Sequence, residues 1–307
     1  MKEKLFDCKY PIVEASMNLG SDLKLALAVA DAGAFPSLLT NYIKDSKLIG
    51  NDHNELYEKL REFKKSTGSC NLILGIGSSV LSNLNMLKII NEFQVSHIEL
   101  FPSNPNGIIE TIDKICSDNM NLAGIKFLKK TAQIITRLYT PTNSNFANQF
   151  DAFAIKGKES GGRSGCWSVL ELFNNQRAQL NIPLYPIGGI GTPEQVKHYI
   201  DNGAVAVGIG TLFAACEESP LSKEAKDKIV NSTIKDIVQT PDTNQNVIIL
   251  GNTILESQPA DWNRSDLLDK GLHGNGETGL MYVGHGINHV DRIRTVKETV
   301  EYLVSQL

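Results

Sequence analysis

Short apolar runs alternate with amphipathic stretches along most of this chain, and that alternation restricts it to an α/β architecture. Tyr10–Ala15 (YPIVEA) reads as a strand; Asp22–Ala32 (DLKLALAVADA) has helical spacing, with Ser21 as its N-cap and Gly33 as its C-cap. Further strands are expected at Ala34–Leu39, Asn71–Ile76, Ser96–Phe101, Ala123–Leu128 (AGIKFL), Ala152–Ile155, Pro183–Ile187 and Ala204–Ile209. Helices are expected at Asn54–Lys64, Val80–Phe93, Gly107–Cys116, Val169–Leu180, Pro193–Asp201 (N-capped by Thr192) and Lys223–Asn231. Lys129–Gln149 should hold one more, with Pro141 as a break point.

Strand–helix units in this order imply a parallel sheet with right-handed crossovers. A doubly wound open sheet shows the same alternation. The tally of eight units favours a (β/α)8 TIM barrel, as do glycine clusters at the ends of the last strands, where a barrel keeps its phosphate site. A chain of 307 residues is ordinary for that fold. Residues 233–284 break the pattern with a polar turn at Thr240–Asn244 and a glycine-rich stretch at Gly271–Gly279. They read as a small C-terminal insertion or subdomain near the barrel mouth, a lid or dimer arm. The barrel would then comprise residues 1–232 and the tail 285–307, closed by a helix within Val290–Leu307.

Composition excludes several function classes. The chain is 41% apolar and 21% charged, which suits a soluble protein with a large core. A net charge of −4 with no basic run argues against nucleic acid; Lys64-Lys65 reads as a solvated helix end. Cys8, Cys70, Cys116, Cys166 and Cys216 are odd in number and without CxxC spacing, as expected of reduced thiols, not a disulfide framework or a zinc site. No segment has the roughly 18–20 apolar residues of a membrane span, and no signal-peptide pattern opens the chain, so a cytoplasmic location is expected.

Two turns carry the chemistry most plainly. Gly188-Gly189-Ile190 ends one strand, and Gly208-Ile209-Gly210-Thr211 ends the next, one βα unit later. Glycines there let backbone N–H groups approach an anion, and a following helix start adds its dipole. Two tight turns without a ligand are the plainer alternative, but the pair at this spacing favours a phosphate cradle. The loop after strand six, Lys156-Gly157-Lys158-Glu159-Ser160-Gly161-Gly162-Arg163-Ser164-Gly165, has too many glycines for helix or strand; it suggests backbone wrapped around a ligand edge, against the alternative of a flexible surface loop. Ala15-Ser16-Met17 closes strand one with small residues that would let a flat ring lie against the backbone.

Taken together, these segments resemble the nitronate monooxygenase (2-nitropropane dioxygenase-like) flavoproteins and their relatives, the flavin-dependent enoyl-ACP reductases. The resemblance runs from Tyr10 to about Ser219. It rests on Pro11-Ile12-Val13-Glu14-Ala15-Ser16-Met17 against the family's PI-x-x-A-P-M, on Ala32-Gly33-Ala34, on the 157–165 loop against G-x-E-A-G-G-H-x-G, and on Gly188-Gly189-Ile190, Gly210-Thr211-Leu212-Phe213 and Glu218-Ser219. It implies FMN as cofactor, with NAD(P)H an optional reductant. Ala15, Ser16 and Met17 would border the flavin ring, Gly75 and Lys156 would contact it, and Gly161, Gly162, Gly188, Gly189, Gly208, Ile209, Gly210 and Thr211 would hold phosphate and ribityl chain. The substrate would be a small molecule or an acyl-carrier-bound intermediate; a homodimer stays open.

One departure narrows the chemistry. The family's loop histidine, its usual catalytic residue, is Arg163 here. Arginine stays protonated and cannot act as a general base, so Arg163 would orient or stabilise an anion. His285 is the reserve acid/base, His273 a weaker one, and His97 reads as structural. His285 and His289 stand four apart, but Gly286 disfavours a helix and no third ligand is suggested, so loop or packing roles are preferred to a metal. Lys126 and Lys129, beside the expected fifth strand, could bring positive charge to the flavin. Cys166 reads as a small buried residue. Alternatives are a flavin-free phosphate-binding barrel enzyme and a non-catalytic subunit that keeps the flavin fold.

Overall fold

The computed structural model describes residues 4–17, 20–40, 42–44, 47–49, 53–101, 119–240, 245–251, 270–271 and 278–307. The expected helix at Gly107–Cys116, His273 and Cys116 lie outside them.

Eight strands run parallel around one sheet. In chain order they are β1 (Ile12–Glu14), β2 (Ser37–Leu39), β5 (Ile73–Gly77), β6 (His97–Phe101), β7 (Gln133–Leu138), β8 (Ala152–Lys156), β10 (Leu184–Ile187) and β11 (Val207–Ile209). Their spatial order is β1-β11-β10-β8-β7-β6-β5-β2. The ring closes between β1 and β2 through a parallel bridge from Val13 to Phe35, with Glu14 N–H donating to Phe35 O at 2.8 Å and Phe35 N–H to Ile12 O at 2.8 Å. The (β/α)8 barrel expected from the alternation is the fold. Between β2 and β5 a hairpin forms from β3 (Tyr42–Lys44) and β4 (Lys47–Ile49).

The two-residue strand period divides the side chains into two buried sets. Val13, Ala15, Ile73, Ile135, Ala152, Ala154, Tyr185 and Ile187 fill the interior, while Ile12, Leu74, Ile98, Ile134, Phe153, Ile155 and Val207 face the helices. Those helices include α1 (Leu23–Asp31), α2 (His53–Thr67), α3 (Leu84–Glu92), α4 (Asn119–Leu128), α5 (Ser144–Ala147), α6 (Val169–Gln179), α7 (Pro193–Asp201), α8 (Thr211–Ala214), α9 (Lys223–Val230) and α10 (Val296–Leu303). The last packs against α1 and α7, so the tail helix completes the outer layer.

The fifth strand is not where the sequence suggests. Ala123–Leu128 is the end of helix α4, and the strand is Gln133–Leu138. A six-residue apolar run fits either element by periodicity alone. The position between β6 and β8 goes to QIITRL, with its β-branched centre. Gly124 serves a different purpose: a Cβ there would collide with the carbonyl of Leu81, so the glycine lets α4 lie against the 3-10 turn Ser78–Ser82. Lys126 therefore sits on a helix and Lys129 just past it, and the barrel mouth takes its strand-five cation from Arg137 instead. A smaller correction concerns α1, whose N-cap is Asp22, accepting from Leu25 N–H at 2.8 Å; Ser21 instead accepts from Met17 N–H at 2.9 Å. Cys166 is exposed, not buried.

Residues 238–282 contribute β12 (Val238–Thr240), β13 (Gln245–Gly251) and β14 (Thr278–Tyr282), an antiparallel sheet. A two-residue strand from the glycine loop, β9 (Gly162–Arg163), pairs with β13 through Arg163↔Gln245 and Gly162↔Asn246. This segment is thus joined edge-on to the loop that follows β8.

The opposite, N-terminal end of the barrel is plugged. Phe6 lies 4.9 Å from the Phe35 ring, 5.2 Å from His97 and 5.3 Å from Tyr185. His97 bonds Leu5 O through Nε2 at 2.7 Å and Ser96 Oγ through Nδ1 at 2.8 Å. A carbonyl can only accept, so Nε2 carries the proton and the ring is neutral. Burial pushes its pKa down to about 4. His97 is structural, as the sequence suggests. Phe6→Ala should empty this plug and cost about 3–5 kcal/mol, read as a lowered denaturant midpoint with an unchanged slope.

Candidate active site

Strand alternation sends the same inner positions that are apolar at the barrel floor to charged residues near its C-terminal mouth. On β6 the inner residues are His97, Glu99 and Phe101; on β7 they are Ile135 and Arg137; on β8 they are Ala152, Ala154 and Lys156. Glu99, Arg137 and Lys156 are all buried. Such groups are tolerated inside a barrel only when paired and hydrogen-bonded.

Arg137 is the hub. Its Nε donates to Glu99 Oε1 at 2.8 Å, and one terminal nitrogen donates both to Glu99 Oε2 at 3.2 Å and to Ser16 O at 2.7 Å. Its guanidinium lies 4.2 Å from the centre of the Phe101 ring. Burial works against its charge, but Glu99 more than offsets that, and the pKa is raised. On β10, the Tyr185 hydroxyl lies within reach of Glu99's charge; burial, then that charge, hold the phenol well above its ordinary value. One carboxylate therefore ties β6 to β7, and Arg137 extends the tie to the end of β1.

Lys156, two strand positions above Ala154, donates through Nζ to Gly161 O at 3.1 Å and lies 5.9 Å from the Tyr139 ring. Burial, with Arg137 and then Arg163 adding repulsion against the pull of Glu99, holds its pKa well below the ordinary lysine value. Arg163 on β9 is thus close enough to Lys156 to be felt. Lys156 thus feels two other cations, Arg137 and Arg163, and one carboxylate, Glu99.

The loop between Lys156 and Arg163 is laid against protein. Glu159 Oε2 accepts from Val169 N–H at 2.9 Å, at the start of α6, and Glu159 O accepts from His285 N–H at 2.8 Å. Ser160 Oγ donates to Ile187 O at 2.9 Å. Gly188, at φ +124°, stands where a Cβ would strike Ser160 Oγ, and Gly161 approaches the backbone of Val283 and Gly284. The glycine loop is neither floppy nor open: it bridges the end of β10 to the C-terminal segment. Gly284 N–H in turn donates to Thr211 Oγ1 at 3.0 Å. This brings His285 beside Gly189, whose Cβ, if it had one, would lie 3.6 Å from the histidine Cβ. His289 instead packs against Gly191, away from that turn, and burial lowers its pKa. Among the described residues no group of histidine, cysteine or acidic side chains could hold a metal.

Ser16 Oγ is buried and has no hydrogen-bond partner. At Gly210, the N-cap of α8, the atoms nearest to a Cβ would be Met17 Sδ at 3.6 Å, Ala15 Cβ at 3.8 Å and Met17 Cγ at 3.9 Å, all ordinary contacts. Gly75 is different: a Cβ would press on the Leu39 and Phe101 side chains, 2.5 and 2.7 Å away, so its glycine answers to packing inside the mouth. The structure thus gathers Ala15, Ser16, Met17, Lys156, Gly189, Gly210, Thr211, Arg163 and His285 around the C-terminal ends of β1, β8, β10 and β11. Sequence reading missed Glu99, Arg137 and Tyr185. The available signal was the charged residue inside two otherwise apolar strand runs, HIELF and QIITRL.

Glu14 faces outward from β1, fully buried, with Oε2 accepting from Ser37 N–H at 3.0 Å and Oε1 unpartnered. Burial pushes its pKa up to about 8. The native state then keeps a proton that the unfolded chain releases. This contribution to stability is whole below about pH 4.5 and is lost as pH rises to about 8. Glu14→Gln should remove that slope, gaining on the wild type across this window by up to about 1.4 kcal/mol per pH unit in denaturant titrations. Arg137→Met should cost about 3–5 kcal/mol by leaving Glu99 buried and unpaired, with much of the loss recovered in Arg137→Met/Glu99→Gln.

Comparison with known proteins agrees with this architecture. A family model described as nitronate monooxygenase matches residues 119–306, more than half of the chain. A probable nitronate monooxygenase from Staphylococcus aureus (strain JH9) is 22% identical, the match covering 77% of this chain and 74% of the relative. FabK from Thermotoga maritima superposes with a TM-score of 0.72 at 22% identity, over 98% of this chain and 93% of that one. A nitroalkane oxidase from Streptomyces ansochromogenes gives 0.72 at 18% identity, over 98% and 96%.

Proposed function

This chain belongs to the nitronate monooxygenase family and is an oxidoreductase; on that premise we propose that it binds FMN at the barrel mouth and acts on a substrate whose reacting form is an anion. The observation that carries this reading is the buried, unpartnered hydroxyl of Ser16 beside Arg137, with Lys156 buried within reach of both Arg137 and Arg163. Cationic groups held in a buried mouth suit an anionic ligand and a polar ring edge.

FMN supplies the redox chemistry when bound. The residues that would hold it are those the family motifs mark. Gly161, Gly162, Gly188, Gly189, Gly208, Ile209, Gly210 and Thr211 would offer backbone and one hydroxyl to phosphate and ribityl chain, while Ala15, Ser16, Met17 and Lys156 would border the ring. Ser16 Oγ would find there the partner it lacks. Arg137 would hold the Ser16 backbone in place by its bond to Ser16 O. Arg163, permanently charged, would orient and stabilise the substrate anion, and His285 would stand in reserve to exchange a proton near Gly189. NAD(P)H would serve as reductant.

A second reading is favoured by Arg163 alone. A guanidinium where the family has histidine suits stabilisation of an enolate better than deprotonation of a nitroalkane, which points to a thioester-reducing role on an acyl-carrier-bound intermediate.

The purified protein should show the visible bands of oxidised flavin and release FMN on heating. A colourless chain that takes up no FMN would sink the proposal. Anaerobic bleaching by nitroethane, or by NADH or NADPH followed by reoxidation with an enoyl thioester, separates the two readings. Arg163→Ala should cut turnover by about 10²-fold or more while flavin content holds, since an oriented charge acts mainly on the reacting anion; an unchanged rate removes Arg163 from the mechanism.

A further inference from the structure

The family's loop histidine is absent, yet the same loop carries a group that can give up a proton. Lys156 opens the loop and Arg163 closes its strand. The Lys156 ammonium lies inside the barrel wall, donating to Gly161 O, the residue before Gly162-Arg163. Among the described residues, the charged and titratable groups placed against it come from three strands: Glu99 on β6, Arg137 on β7 with Tyr139 just after it, and Arg163 on β9. Glu99 is already held by two bonds from Arg137, so it is not a dedicated counter-ion for Lys156. Of the three cations, both arginines keep their protons at any working pH; Lys156 alone has the chemistry to lose one.

We propose that Lys156 is the proton-transfer residue of this enzyme, its Nζ receiving the proton that a carbon acid gives up at the barrel mouth. The inference rests on the flavoenzyme reading above and deepens it. In this step the C–H bond next to a nitro or carbonyl group breaks, its electron pair moves onto that group's oxygen, and the proton joins the free amine to make an ammonium. Arg163 then faces the anion just formed. Burial and two neighbouring guanidinium groups hold the Lys156 pKa well below that of an ordinary lysine, which keeps free amine available. His285 is set on a different segment, with its Cβ over the Gly189 turn.

Two measurements on the full chain test this. The first is an NMR titration of protein labelled with 13C at lysine Cε, the Lys156 signal being assigned by its loss in Lys156→Arg. Lys156 should titrate well below the other lysines, and a Lys156 that titrates with them overturns the inference, whatever the activity. The second compares nitroethane with preformed ethyl nitronate as probes. Lys156→Ala, loaded with FMN, should lose about 10²-fold or more with nitroethane, and its loss with the nitronate, which needs no deprotonation, should be at least about tenfold smaller. Small primary amines should restore part of the nitroethane rate in Lys156→Ala but not in Lys156→Arg. Equal losses on both probes would mean a structural role and overturn the inference, as would a loaded wild type that takes the nitronate and leaves nitroethane untouched. A pH limb that survives in Lys156→Arg and disappears in His285→Asn would assign the step to His285 instead. A wild-type chain that holds no FMN overturns the functional reading itself, so the two failures are told apart.

Discussion

Arg137 and Glu99 form a pair of opposite charges inside a barrel whose other interior positions are almost all apolar. Removing either charge from water costs several kcal/mol, and the pair survives because its members bond each other twice. Arg137 has a donor left for Ser16 O. Those bonds span β6, β7 and the end of β1, so the mouth is braced across the barrel and not only along its hydrogen-bonded wall. The position of Ser16, and through it the strand end where a flat ring would rest, depends on this brace.

The same brace sets the electrostatics of the mouth. Lys156 feels Arg137 and Arg163 as repulsion and Glu99 as attraction. Positive groups in a site of low dielectric attract anions and lower the cost of making one. The glycine loop delivers Arg163 and Lys156 to the same place because its backbone is pinned on both sides: by Ser160 to β10 and by β9 to the sheet of residues 238–282. Its glycines earn their positions by close contact with other parts of the chain.

Much of this was legible beforehand. The alternation of apolar runs and amphipathic stretches predicts eight strands in a ring, and all but one lie within a few residues of the expected place. Ala123–Leu128 was the exception, since six apolar residues satisfy a strand and a helix alike, and only the vacancy between β6 and β8 decides for Gln133–Leu138. Gly188-Gly189 mark a strand end by the positive φ that such a turn demands. Lys156 and Arg163 were visible as charges in a glycine loop, though not as neighbours.

What the sequence determined on its own is local or periodic: the order of elements, the buried faces, the turns that need glycine, and an arginine that cannot serve as a base wherever it lies. Contact between Glu99, Arg137, Tyr185 and Ser16 was decided only by the tertiary structure. These residues are up to about 170 positions apart in the chain, and their meeting depends on barrel closure and on the stagger of each strand against the next. The protonation of Lys156 follows the same rule, because a pKa is set by what surrounds a group in space, and the charges felt by Lys156 come from three other strands.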